Sequence, residues 1–74
     1  MSRLPILTAA RLVKVLKKLG FVFVRQRGSH AFYRHEDGRS TVVPMHAGED
    51  IGRGLLRAIL RDLQLSPEEF EALL

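Results

Sequence analysis

Phe21-Val22-Phe23-Val24-Arg25-Gln26-Arg27, Ala31-Phe32-Tyr33-Arg34-His35 and Ser40-Thr41-Val42-Val43 are three short runs rich in β-branched and aromatic residues. Each reads as a strand, because such side chains suit a pleated, half-buried surface. Gly28-Ser29 and Asp37-Gly38 separate them. Both pairs read as tight turns, since glycine accepts positive φ without strain and Asp-Gly is a strong hairpin signal. The second strand starts at Ser29 or His30. Pro44, which has no N–H to give a ladder, ends the third. Strands joined this closely form an antiparallel meander, and one face of that sheet needs cover.

The flanking sequence supplies the cover. Thr8 can cap a helix running from Ala9 to about Leu19, with its hydroxyl accepting from a free backbone N–H. Leu12, Val13, Leu16 and Leu19 recur at helical spacing, while Arg11, Lys14, Lys17 and Lys18 fall largely elsewhere on the wheel. Gly20 stops this helix. Beyond the strands, His46-Ala47-Gly48-Glu49-Asp50-Ile51-Gly52 reads as a loop. A helix from about Arg53 to Leu63 then presents Leu56, Ile59, Leu60 and Leu63 on one face and Arg53, Arg57 and Arg61 on another. Ser66-Pro67-Glu68-Glu69 is a capping box with proline at the first helical position, so it opens a short third helix pinned by Phe70 and by Leu73 or Leu74. The expected class is α+β: a three-stranded antiparallel sheet, helices on one face, the other face open.

Seventy-four residues allow one small domain, over residues 1–74. Hydrophobic residues at 46% and charged residues at 27% give the balance of a globular chain, not a disordered one. No run approaches the ~20 apolar residues that span a bilayer, which argues against a membrane protein. The opening Met1-Ser2-Arg3-Leu4-Pro5-Ile6-Leu7 lacks the apolar stretch and cleavage site of a signal peptide. Without cysteine there is neither a disulfide frame nor a thiolate metal site, so a cytoplasmic protein is expected.

Charge narrows the partner. The net charge is +4 and the isoelectric point is near 10.4. Glu68, Glu69 and Glu71 lie in the last segment. Residues 1–65 therefore hold all 12 basic side chains against the 5 acids Glu36, Asp37, Glu49, Asp50 and Asp62, a surplus of 7. So dense a surplus points first to a phosphate backbone, with an acidic protein surface as the alternative.

Arg25-Gln26-Arg27-Gly28-Ser29-His30 is the densest polar cluster. Imidazole, with an ordinary pKa of ~6.5, can give or take a proton near neutrality. RNA cleavage by internal attack needs that chemistry: a base for the 2′-hydroxyl, an acid for the departing 5′-oxygen, and a cation for the charge building on phosphate. Arg25, Arg27 or Arg34 could supply the cation, since guanidinium matches phosphate oxygens in pairs. Gly28 leaves room for a close backbone approach, and its N–H could contact phosphate. A solvated turn histidine with no chemistry is the alternative for His30. His46 could be a second acid–base partner, a phosphate contact, or only a loop hydrogen-bonder. His35, beside the Asp37-Gly38 turn, is expected to be solvated. The three histidines are too scattered for a metal site, and Glu36, Asp37, Glu49 and Asp50 look like turn acids. Phe32 and Tyr33 point to opposite faces, and the outward ring could stack a base. The Arg53, Arg57, Arg61 row could bind phosphate or an acidic partner, or simply face water.

Gly20-Phe21, the Arg25-to-His30 cluster and Asp37-Gly38-Arg39 resemble the HicA (YcfA-like) toxin family. So do Val42-Val43-Pro44-Met45-His46, Leu56-Arg57-Ala58-Ile59-Leu60 and Ser66-Pro67-Glu68-Glu69-Phe70, in order and at the family's spacing. The resemblance implies a double-stranded-RNA-binding-domain-like fold, α-β-β-β-α. It also implies an mRNA-cleaving toxin, an endoribonuclease that needs no metal or organic cofactor and is held inactive by a HicB-type antitoxin. The family's active-site histidine maps onto His30. RNA contacts are then expected from Arg25, Arg27, Gly28, Ser29, Arg34 and His46, with Lys14, Lys17 and Lys18 extending the basic track. The chain departs from the family at Leu55, where threonine is usual, and in the acidic, glycine-rich stretch 48–52. A non-catalytic RNA-binding domain with the same fold is the alternative function, and a module that binds only protein is a third.

Overall fold

The computed structural model describes residues 4–46 and 48–74. Met1-Ser2-Arg3, on which the leader reading partly rests, and Ala47 of the loop lie outside the described residues. The elements follow in the order β1 (Leu7–Thr8), α1 (Ala9–Lys18), β2 (Val22–Arg27), β3 (His30–Arg34), β4 (Ser40–Pro44), β5 (Asp50–Ile51), α2 (Arg53–Leu63) and α3 (Pro67–Glu71).

The Thr8 hydroxyl accepts from the Arg11 N–H at 3.2 Å, filling a donor that the start of α1 leaves free. Leu12, Val13 and Leu16 go into the core, joined by Ala9 and Val15. From α2 come Leu56, Ile59, Leu60 and Leu63, and from α3 comes Phe70. The Ser66 capping box is formed as its sequence dictates. Lys18 Nζ reaches the Leu73 carbonyl at 3.4 Å, joining the end of α1 to the chain after α3.

β2, β3 and β4 form an antiparallel meander in that order. Successive strand residues alternate faces, so Ala31, Tyr33, Thr41 and Val43 turn to the core. His30, Phe32, Arg34, Ser40, Val42 and Pro44 occupy the other face. A bulge at Val24 separates Phe23, opposite Tyr33, from Arg25, opposite Phe32. The bulge resets the alternation, so Arg25 and Arg27 share the outer face with Phe32 and His30. Pro44 belongs to β4 rather than lying past its end: it is the last residue, opposite His30, on a strand that among the described residues pairs only with β3.

Two further features depart from the sequence reading. Leu7 pairs with Ile51 and Thr8 with Asp50, so the end of the supposed loop is a second, two-residue ladder. Two residues carry no period to read; the pairing follows from burial of Leu7 and Ile51 at its centre. Arg53 Nε donates to the Leu4 carbonyl at 2.6 Å at the same junction, so the arginine row is not uniform and Arg53 ties the chain start to α2.

His35 is the other departure. It is half-buried, not solvated. Its Nε2 donates to the Leu19 carbonyl at 3.0 Å, and its Nδ1 accepts from the Asp37 N–H at 3.1 Å. The ring meets Phe21 edge-on at 5.1 Å. Both nitrogens thus join the end of α1 to the β3–β4 turn. Arg39 completes the knot: it stacks over Phe21, pairs with Asp37 at 2.8 Å and donates to the Leu63 carbonyl at 2.7 Å. The Arg39 backbone N–H, followed by its guanidinium, holds the Asp37 carboxyl below its ordinary range.

Gly20 is fixed by this knot. Its φ is +95°, and a Cβ there would stand 3.1 Å from His35 Nε2. Gly20→Ala is therefore expected to cost about 1–2 kcal/mol, through left-handed strain and displacement of the imidazole. Urea unfolding measures it, and a loss under about 0.5 kcal/mol would contradict the assignment.

Candidate active site

His30 opens β3 immediately after the Gly28-Ser29 turn, with its side chain exposed on the outer face. Gly28 has φ +59°, which the two-residue turn needs. A Cβ at Gly28 would meet nothing within 4 Å, so within the protein it is the backbone conformation that favours glycine. Gln26 Nε2 donates to the Gly28 carbonyl at 3.0 Å and braces the turn. Across it, the half-buried Ser29 accepts from the Met45 N–H through its carbonyl, extending the ladder one step beyond His30 and Pro44.

Arg27 lies directly opposite His30. Arg25 is one step further along the same face, with its guanidinium 4.9 Å from the centre of the Phe32 ring. Phe32 is thus the outward aromatic expected from the alternation, and Arg25 already covers part of it. Arg34 shares the face but stands four residues from His30, ~13 Å along the strand. The structure therefore gathers His30, Arg27 and Arg25, and sets Arg34 apart as a more distant cation.

The lysines are not gathered there. Lys14, Lys17 and Lys18 are exposed on α1, whose apolar side packs into the core. Lys18 reaches Leu73, and the Leu19 carbonyl meets His35. The C-terminal end of α1 therefore lies by the Asp37 turn, at the opposite end of β3 from His30.

His46 does come to His30. A cleft of about 420 Å³ is lined by His30, Pro44, His46, Glu49, Asp50, Ile51 and Leu55. In sequence, Glu49 and Asp50 look like turn acids. The β1–β5 pairing draws them to this cleft, and a contact between the start of the chain and residue 50 has no local signal. Leu55 also lines a second, apolar groove of about 520 Å³ with Val24, Phe32, Val42 and Ala58, flanked by Arg25 and Arg34. Among the described residues, no group of three or more His, Asp or Glu side chains is placed to hold a metal ion.

The family model for the HicA toxin of bacterial toxin–antitoxin systems matches residues 9–65. The chain belongs to the HicA toxin family. No curated protein matches it. As a HicA-family member it is the toxin of a toxin–antitoxin system, and its counterpart is an antitoxin. The matched segment holds α1, the whole meander, α2 and every cleft residue named above; α3 and its cap lie past it. The α+β arrangement, with a three-stranded antiparallel sheet and a short last helix, is the double-stranded-RNA-binding-domain-like one that HicA toxins have. Among the described residues, no helix is long and apolar enough to cross a membrane.

Proposed function

We propose that this HicA-family toxin is a metal-independent endoribonuclease that cleaves mRNA and so arrests translation and growth. His30 is its general acid or base, and Arg27 and Arg25 hold and neutralise the phosphate. Gly28, Ser29, Arg34 and His46 add RNA contacts near the cut. Lys14, Lys17 and Lys18 serve at most a separate, outlying length of RNA. The chain acts as one HicA-like domain over residues 1–74, in the cytoplasm where mRNA is, and a HicB-type antitoxin silences it by covering the His30 face.

One observation carries this reading: an exposed imidazole with no hydrogen-bond partner among the described residues stands opposite Arg27 on the uncovered face of the sheet. A histidine kept for stability looks different, as His35 shows with both nitrogens engaged. Proton transfer by a free imidazole needs no bound ion.

The test is incubation of the pure protein with single-stranded RNA, with and without EDTA. Cleavage products that persist in EDTA are the expected result. Intact RNA retarded on a gel, with binding that falls steeply as salt rises, would instead mark a non-catalytic RNA-binding domain. RNA that is neither cut nor bound would leave a module for protein alone.

A further inference from the structure

Cleavage of RNA by internal attack moves two protons. One leaves the 2′-hydroxyl as its oxygen bonds to phosphorus; the other arrives on the 5′-oxygen as the P–O5′ bond breaks. In-line displacement puts those oxygens on opposite sides of phosphorus, so one imidazole does not reach both in a single step. Resting on the nuclease reading above, we infer that His46 is the second proton-transfer group, facing His30 across the same cleft.

Three observations place it there. His30 and His46 line one cleft of a size to admit a ribose–phosphate junction. His30 is paired with Pro44, and the Met45 N–H continues the ladder to Ser29, which leaves His46 diagonal to His30. Diagonal neighbours have Cβ atoms roughly 7 Å apart, room for one phosphate held by a hydrogen bond of ~2.6–3.2 Å on each side. Both rings are exposed, and neither has a hydrogen-bond partner among the described residues, so their nitrogens are open to substrate.

The step balances without an added reagent. One ring enters neutral and takes the 2′-hydroxyl proton as the oxygen attacks. The other enters protonated and gives its proton to the departing 5′-oxygen. The products are a 2′,3′-cyclic phosphate and a 5′-hydroxyl, and the two rings exchange protonation states, which water restores.

Single-turnover cleavage of a short defined RNA by the full chain tests this, with His30→Ala and His46→Gln as variants. A second RNA carries sulfur in place of the scissile 5′-oxygen, because a thiolate departs without needing a proton. Each variant is expected to cleave ordinary RNA at least about a hundredfold more slowly. His46→Gln should keep its circular dichroism, and as an RNA contact it should weaken binding of 2′-O-methyl RNA by no more than about tenfold, well short of its loss in cleavage. One of the two variants, not both, should recover on the sulfur substrate, identifying the acid. Four results would overturn the inference: parental cleavage by His46→Gln beside an inert His30→Ala, a loss matched by weaker binding, the same sulfur response in both variants, or a loss confined to Glu49→Gln or Asp50→Asn. A parent protein that leaves RNA intact would instead overturn the nuclease reading, and this inference with it.

Discussion

His30→Ala is expected to lower RNA cleavage at least about a hundredfold and to abolish growth arrest on induction, while the protein stays folded. The size follows from what is removed: a positioned acid–base group typically contributes ~10²–10⁴-fold. The retained fold follows from its position. His30 is exposed at the first residue of β3, and its ring has no hydrogen-bond partner among the described residues. Its backbone keeps its pairing with Arg27 and Pro44 whatever the side chain. Exposed substitutions away from special features usually shift stability by less than ~0.5 kcal/mol. A variant that unfolds at the parental urea concentration yet cleaves within tenfold of the parent would remove His30 from the chemistry.

The second large effect concerns the core and contrasts two adjacent leucines. Leu56 is fully buried on α2, whereas Leu55 is 43% exposed. Leu56→Ala should cost about 2–5 kcal/mol, from lost burial and the cavity left behind. At ~0.05–0.15 kcal/mol per residue, a chain of 74 residues has roughly 4–11 kcal/mol in all. The substitution therefore removes a large share of the stability, and the variant should lose toxicity by losing folded protein. Leu55→Ala should cost under about 1 kcal/mol. Urea unfolding of both separates them; equal losses would mean that α2 is rotated from the orientation described here. Together the variants also separate two routes to lost toxicity, since only Leu56→Ala should depress both fold and cleavage.

Elements whose signal is local were legible in the sequence. Thr8, Gly20 and the Ser66 box mark helix ends through backbone groups within a few residues, and the apolar spacing of α1 and α2 names most of the core. The strand faces follow from alternation once the two turns are placed. Contacts between distant segments were not legible. The β1–β5 ladder joins residues more than forty apart, and the Arg53 bond to Leu4 depends on it. The burial of His35 is not legible because its neighbours in sequence are turn residues, whereas Leu19 and Phe21, which it meets, precede the meander.

The site divides along the same line. The nearness of Arg25 and Arg27 to His30 follows from a hairpin whose turn is readable, although the Val24 bulge that sets Arg25 over Phe32 is not. The lysine track looked continuous in sequence because Lys14, Lys17 and Lys18 share a helix, but the direction of α1 carries that helix's end away from His30. His46, Glu49 and Asp50 meet His30 only through the ladder extension at Ser29–Met45 and the β1–β5 closure. Leu55, where the family resemblance implies threonine, lines both the histidine cleft and the neighbouring groove, and the helix start at Gly52 has no side-chain hydrogen bond among the described residues.

The most direct measurement is the chemistry of the RNA ends produced in EDTA by the pure parent protein and by His30→Ala, read by mass spectrometry of a short defined RNA. The predicted result is a 2′,3′-cyclic phosphate and a 5′-hydroxyl from the parent, with neither detectable from His30→Ala. Uncut RNA from the parent, or fragments made equally well by the folded His30→Ala protein, would contradict it.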